Sequence, residues 1–563
     1  MELNYKKNKN NDLFNQLADE KLVHIYNLQN YIPIYNIFFN LNENNYNSIN
    51  LNNKYKLNSI TEKLGYSKFN GTIIDDSNNV IDKKIFLKYG PLVDPVKYMI
   101  GKYEDNIFEL PKFSNNQNVN KKTLDINNSA YTDGFFSFLS SLLLNKYDFV
   151  NGIDYYGSFL GIKNNFIIDI EDDLEYLDDS EFFHKNNNLL FTIQENNNHK
   201  NYFSNTKKYK QPLIIDAKNI DDEELGIDDL INNKLNIDTT TNNNNLEIEY
   251  TQETNLTEKN INKKKIKTNE QNESESSCSS RYSNTESSIN EDSEEDNSTN
   301  DETDEEEEEE EEIFANILKF PVQTIALECC DDTLDSYIIN NKIKDDEWES
   351  IISQIIFTLI TYQKVYHFTH NDLHTNNIVY NKTEKKYLYY KYDNKHYKIP
   401  TFGKIYKIID FGRAIYKYKG NIICSDSYAP DGDAHTQYNT EPYFNEYKPR
   451  LEPNFSFDLC RLGCSLFDYF IEDIDDIKKL KSPIKKIMVE WVFDDSNKNI
   501  LYKNNGSERY PDFKLYKMIA RTVHNHKPQN VIKKSLFEKY LLAKKKINNQ
   551  SAIFNIDNLP VLY

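Results

Sequence analysis

The stretch HNDLHTNN, His370 to Asn377, decides how this chain is read, together with Ile408-Ile409-Asp410-Phe411-Gly412 downstream of it. Asp372 stands two residues after His370, and Asn377 five after Asp372. Immediately upstream, Trp348, Ile352, Ile355, Leu359 and Tyr362 recur at helical spacing, so an amphipathic helix should lead into the segment, with Asp345 and Asp346 as capping candidates. Ile378 to Tyr380 and Lys404 to Asp410 read as short strands on either side, and YLYYKYDNKHYKIP between them as a hairpin turning at Asp393-Asn394. The polar residues therefore fall where strands and helix end. His367, His370 and His374 lie close in sequence, but a packed structural His370 is a better expectation than a metal cluster.

Further out, TDGFFSFLSSLLL (Thr132 to Leu144) reads as a helix with Thr132 as N-cap. IDKKIFLKYGPL (Ile81 to Leu92) and FVNGIDYYGSFLGI (Phe149 to Ile162) read as strands. Residues 217–312 are different: the run of Ser, Asn, Asp and Glu ending at Glu312 has almost nothing to bury, cannot offset its chain entropy, and is expected to be disordered. Order should resume at Ile313 with IFANILKFPVQTIALECC.

The chain has 563 residues and a formal net charge of −22, which argues against general nucleic-acid binding. Its six cysteines form no CxxC pair, which fits reduced thiols; Cys460 and Cys464 should share a buried helix face. No run approaches the roughly 20 apolar residues that span a bilayer. The expectation is a soluble, intracellular protein that binds neither membrane nor nucleic acid.

Phosphoryl transfer needs a carboxylate to orient a hydroxyl, oxygen ligands for magnesium and a cation for the phosphates. Asp372 and Asn377 have the HxDxxxxN spacing, Asp410 opens DFG, and Phe457 to Phe470 (FDLCRLGCSLFDYF) carries Asp458 and Gly463 in a DxxxxG pattern. On these ordered motifs the chain resembles the protein-kinase superfamily. It is most similar to the divergent kinase-like proteins of large DNA viruses of the mimivirus type, over roughly 81–165 and 313–540. A viral origin would imply the host cytoplasm or the virion.

The resemblance implies an α+β, bilobal fold with a small β-rich N-lobe and a larger helical C-lobe. Its parts would be an N-terminal extension (1–55), the first part of the N-lobe (56–216), the acidic insertion (217–312), the last N-lobe strand and hinge (313–335), the C-lobe (336–545) and a C-terminal tail (546–563). It also implies ATP and Mg²⁺ as cofactors. Lys88 would hold phosphate, Leu327 would be the gatekeeper, and the Glu328 carbonyl and Cys330 amide would meet adenine. Asp372 would be the base, and Asn377 and Asp410 would bind magnesium. Protein Ser/Thr hydroxyls would be the substrate, with basic proteins as further partners of the acidic segment.

Several parts depart from the family pattern. Gly65 and Gly71 are the best candidates for a phosphate-covering loop. The helix that should supply a glutamate for Lys88 offers only Asp133. Asn371 replaces the loop arginine, His374 replaces a lysine, and Glu452-Pro453 is only a rough stand-in for APE. Two alternatives therefore remain: a pseudokinase scaffold with an acidic arm, and a small-molecule kinase of the aminoglycoside or choline type.

Overall fold

A computed structural model describes residues 2–114, 116–194, 313–543 and 552–563. The expected disordered insertion, 217–312, lies outside the described residues. The fold is α+β. One sheet contains β1 (Ile25–Gln29), β2 (Tyr55–Lys63), β3 (Lys68–Asp75), β4 (Val80–Pro91), β5 (Tyr155–Asp169), β6 (Phe191–Gln194) and β7 (Phe314–Glu328). The strand order is β1-β5-β7-β4-β3-β2, with β6 paired to β7 off that path. β7 is the organising strand. Its C-terminal half, Val322 to Glu328, pairs antiparallel with β4, and Lys88 lies opposite Ile325. Its N-terminal end pairs with β6, and its other edge with β5 along nearly the whole length.

Helix α1 (Ser129–Tyr147) crosses this sheet and is buried along most of its length. Its N-cap is Asn128, whose side chain accepts from the Ala130 amide, and not Thr132, which is an interior residue. The strand expected from Phe149 begins only at Tyr155. Before it the chain turns back over α1: Gly152 N donates to Phe149 O (2.9 Å) and Ile153 N to Ser140 Oγ (3.0 Å). Helix α2 (Asp345–Tyr366) is the long helix expected before HNDLHTNN. Lys344 takes its cap position without a side-chain bond, and Asp345 and Asp346 sit in the first turn, where their charge suits the helix dipole.

Strands β8 (Ile378–Lys382) and β11 (Lys404–Ile408) pair antiparallel, and β9 (Tyr387–Tyr392) and β10 (Lys395–Pro400) form the expected hairpin. Its turn residues Asp393 and Asn394 both have positive φ, 52° and 57°, which suits a tight two-residue turn. Helix α3 (Phe457–Phe470) coincides with the FDLCRLGCSLFDYF run and buries both Cys460 and Cys464. Two segments that the sequence sets apart are built into the fold. β1, from the first 55 residues, pairs with β5, and Ile553–Asn555, near the C-terminus, pairs parallel with β9. Phe554 stacks on Phe149 at 4.7 Å.

A single hydrophobic cluster runs from Ile34 through Phe136 and Tyr362 to Phe411 and Phe554, so the sheet, α1 and α2 share one core. Among the described residues no helix is long and apolar enough to cross a membrane.

Candidate functional site

Lys88 is carried on β4, whose alternation turns Phe86 and Lys88 to one side. Both line a cavity of about 470 Å³, with Leu327, Glu328 and Cys330 of β7 and its following turn, and Asp410. Lys88 is buried. Its Nζ lies 2.6 Å from Asp133 Oδ2 and 2.9 Å from Asp410 Oδ1. Burial opposes its charge, but the two carboxylates outweigh burial and hold the ammonium above its ordinary range. Asp133 Oδ1 accepts from the Phe411 amide at 3.0 Å, so one α1 carboxylate ties β4 to the DFG turn. Phe411 itself is fully buried and packs on Phe136 of α1, ring centroids 4.6 Å apart.

How an aspartate reaches where a longer glutamate was expected follows from close packing. A Cβ on Gly90 would stand 3.0 Å from Ala130 Cβ, and one on Gly134 would stand 2.1 Å from Gln323 Nε2. These two glycines let α1 approach β4 and β7, and the short carboxylate then spans the gap.

The HNDLHTNN loop is anchored from below by Asp458 at the start of α3. This fully buried carboxylate accepts from His370 N (3.1 and 3.0 Å) and Asn371 N (2.9 Å). His370 Nε2 bonds Ile409 O at 2.9 Å, and its Nδ1 accepts from Asp372 N at 3.3 Å, so the ring is a packed structural histidine. Asn371, at φ 65°, accepts from Tyr438 Oη (2.8 Å) and donates to Arg413 O (3.0 Å). Asn377 donates from Nδ2 to Asp372 O (2.9 Å) and pairs with His374 Nε2 (3.0 Å). Burial pulls His374 down to about 4, leaving it neutral at pH 7. Burial pushes the Asp410 carboxyl up, against the pull of Lys88.

Two buried oxygens here have no hydrogen-bond partner: Asn377 Oδ1 and Asp410 Oδ2. Buried polar atoms are rarely left so. An amide oxygen and a carboxylate oxygen are hard donors of the kind Mg²⁺ takes alongside water and phosphate oxygens. Among the described residues no group of three or more His, Cys, Asp or Glu could hold a metal on side chains alone.

Asp372 is enclosed. Tyr516 Oη donates to its Oδ1 at 2.8 Å, with Arg461 Nε at 3.8 Å from Oδ1 and Arg413 Nε at 3.9 Å from Oδ2. Burial favours the neutral acid, but Arg413, His374 when protonated, and Arg461 pull it down to about 2. Arg413 also pairs with Asp433 at 2.5 Å. The sequence reading missed these three enclosing residues. Arg413 follows DFG directly and had a local signal, whereas Arg461 and Tyr516 come from distant helices.

The Glu328 side chain is tied behind the cavity to Lys407 of β11 and to Asp154 N (2.7 Å) and Asn381 Nδ2 (2.7 Å). Cys330 is half-buried, and burial pushes its thiol well up. Of the loop candidates, Gly65 lies in the β2–β3 turn, but Gly71 sits inside β3, where a Cβ would come 2.3 Å from Ser59 O. Gly71 is thus a strand-packing glycine, and the turn residue Ser67 and the first residue of β3, Lys68, line the cavity instead.

No family model matches the chain. Over 154 residues it is 30% identical to a protein of Acanthamoeba polyphaga mimivirus described as a putative serine/threonine-protein kinase. That stretch is 26% of this chain and 36% of the relative, so the chain spans about a third of the relative's length. The similarity points to a kinase-like relationship.

Proposed function

We propose that the chain is a divergent protein kinase that transfers phosphoryl groups from Mg-ATP to Ser/Thr hydroxyls of proteins. The observation that carries this reading is the convergence of Lys88 on Asp410, 2.9 Å apart on the wall of one cavity, with Asn377 Oδ1 and Asp410 Oδ2 left unpartnered. In this reading the sheet is the small lobe and the part around α2 and α3 the large one. Adenine lies against Leu327, Glu328 and Cys330.

Magnesium, when bound to Asn377 and Asp410, neutralises charge on the phosphates. The chain's own groups do the rest. Lys88 leaves part of its pairing with Asp133 and Asp410 to hold phosphate oxygens. Asp372 accepts the proton of the attacking hydroxyl, and Asp458 keeps its loop rigid by accepting from two backbone amides, those of His370 and Asn371. Neutral His374 supplies no charge to the transferring group, so transfer is slow compared with a site that has an ammonium there.

A scaffold without transfer is the second reading, favoured by the enclosure of Asp372 at 3% exposure. Incubation with labelled ATP, magnesium and generic protein substrates separates the two, run beside Asp372→Ala and Asp410→Ala. Incorporation well above both variants is expected. Nucleotide binding with no incorporation above the variants would leave the scaffold. Transfer to amino sugars or choline and not to protein would make it a small-molecule kinase.

A further inference from the structure

Helix α4 (Lys514–Thr522) is held to the molecule by Met518, Ile519 and Ala520, and its first turn projects toward the HNDLHTNN loop. Tyr516 sits in that turn. Its hydroxyl does two things at once: it donates to Asp372 Oδ1 (2.8 Å) and accepts from Arg461 Nε (2.9 Å). Its ring stacks on Phe513, centroids 5.2 Å apart and 13° between planes. The Arg413 guanidinium lies over both rings at 5.5 and 5.4 Å, and that of Arg461 over Tyr516 at 5.2 Å. Asp372 lines neither the 470 Å³ cavity nor the neighbouring one of about 570 Å³ that shares Lys88 and Asp410 with it.

An acceptor hydroxyl must bring its oxygen within about 2.6–3.2 Å of the base carboxylate. Tyr516 already occupies such a position, and the second carboxylate oxygen faces Arg413. We propose that Tyr516 is an acceptor-site residue: its hydroxyl holds the place of the substrate hydroxyl at Asp372, and an acceptor enters only by displacing it. The inference rests on the transfer reading above. The incoming hydroxyl takes over both contacts, donating to Asp372 and accepting from Arg461. The Phe513–Tyr516 stack and the two guanidiniums then set which side chains can approach.

A merely structural tyrosine and a gating one predict opposite signs. If Tyr516 only satisfies a buried carboxylate, Tyr516→Phe weakens the site and transfer falls. If it competes with the acceptor, Tyr516→Phe lowers the acceptor KM by about tenfold, the scale of one hydrogen bond to a charged group, and leaves the KM for ATP unchanged. A second measurement needs no activity. Water-soluble carbodiimide with an amine labels accessible carboxylates, and peptide mass spectrometry reads the Asp372 peptide. Labelling should be low in the native protein and rise several-fold in Tyr516→Ala, at a temperature where melting shows the variant folded. Unchanged labelling overturns the proposal, as does reduced transfer in Tyr516→Phe. Increased labelling with no transfer by any variant supports the cover and overturns the transfer reading instead.

Discussion

Lys88 holds two carboxylates that would otherwise repel each other. Removing one partner of a buried ionic cluster leaves charge uncompensated, at a cost of about 3–5 kcal/mol. Lys88→Met should therefore lower stability by that order in urea denaturation, and the double variant Lys88→Met/Asp133→Asn should recover part of the loss. An unchanged midpoint in the single variant would mean that Asp133 and Asp410 separate freely. The residue scale is also where the sequence was most informative. The spacing of Asp372, Asn377 and Asp410 marked them, and Asp133 was visible as the one acidic residue on its helix. The roles of Tyr516 and Arg461 were not, because proximity to Asp372 is made by packing of α3 and α4 and leaves no mark on local spacing.

The docking of α1 against the sheet is set by small residues. Gly134 faces Gln323 Nε2 so closely that an added methyl must push the helix or the amide aside. Gly134→Ala should cost roughly 1–3 kcal/mol as overpacking and weaken nucleotide binding as Asp133 drifts from Lys88. Thermal melts with and without Mg-ATP read both effects.

On β5, Lys163 is buried with its Nζ near the Tyr66 and Tyr89 rings (5.3 and 5.2 Å) and bonded to Asn164 O (2.8 Å). Burial, with Lys63 adding, pulls its pKa from 10.5 to about 7. Above pH 10.5 neither folded nor unfolded chain carries this charge. Between 10.5 and 7 the unfolded chain binds the proton and the folded one does not, so stability falls as pH drops through that window and levels off below it. Lys163→Met should thus stabilise the protein at pH 7, by up to roughly 4 kcal/mol, and the advantage should vanish toward pH 10.5 in denaturation curves taken across the range. An aromatic-rich strand was legible here as far as Ile162, but its continuation through the buried Lys163 was not, since β alternation alone does not say which face is covered.

At the scale of the whole molecule, the two ends of the chain were hard to place for a shared reason. The first 55 residues and the last few lack strong periodicity because their elements are short: a seven-residue helix (Asn11–Leu17) and strands of three to five residues, of which β1 pairs with β5 and Ile553–Asn555 with β9, both far away in sequence. The junctions of the acidic segment are more telling. Gln194 at the end of β6 is paired with Phe314 at the start of β7, so the chain leaves the sheet and returns to it at adjacent positions of one antiparallel pair. Geometrically this is a hairpin whose connection has been greatly lengthened. Loop-closure entropy rises by only about 0.6 kcal/mol per doubling of length, so the β6–β7 pairing can carry a connection of this length. Replacing residues 195–312 by a short Asn-Gly-containing turn should keep the fold and raise stability by a few kcal/mol on that scaling. It should also leave nucleotide binding intact, because Lys88, Asn377 and Asp410 are held by β4, α1 and α3. Calorimetric melting and nucleotide titration check these outcomes, and a collapse of the shortened chain would show that the removed segment contributes contacts the sheet needs. The same variant tests the acidic arm. Loss of binding to basic proteins with nucleotide binding preserved would assign partner capture to the removed segment, which includes the acidic run 217–312, whereas unchanged binding would move that role to the folded surface.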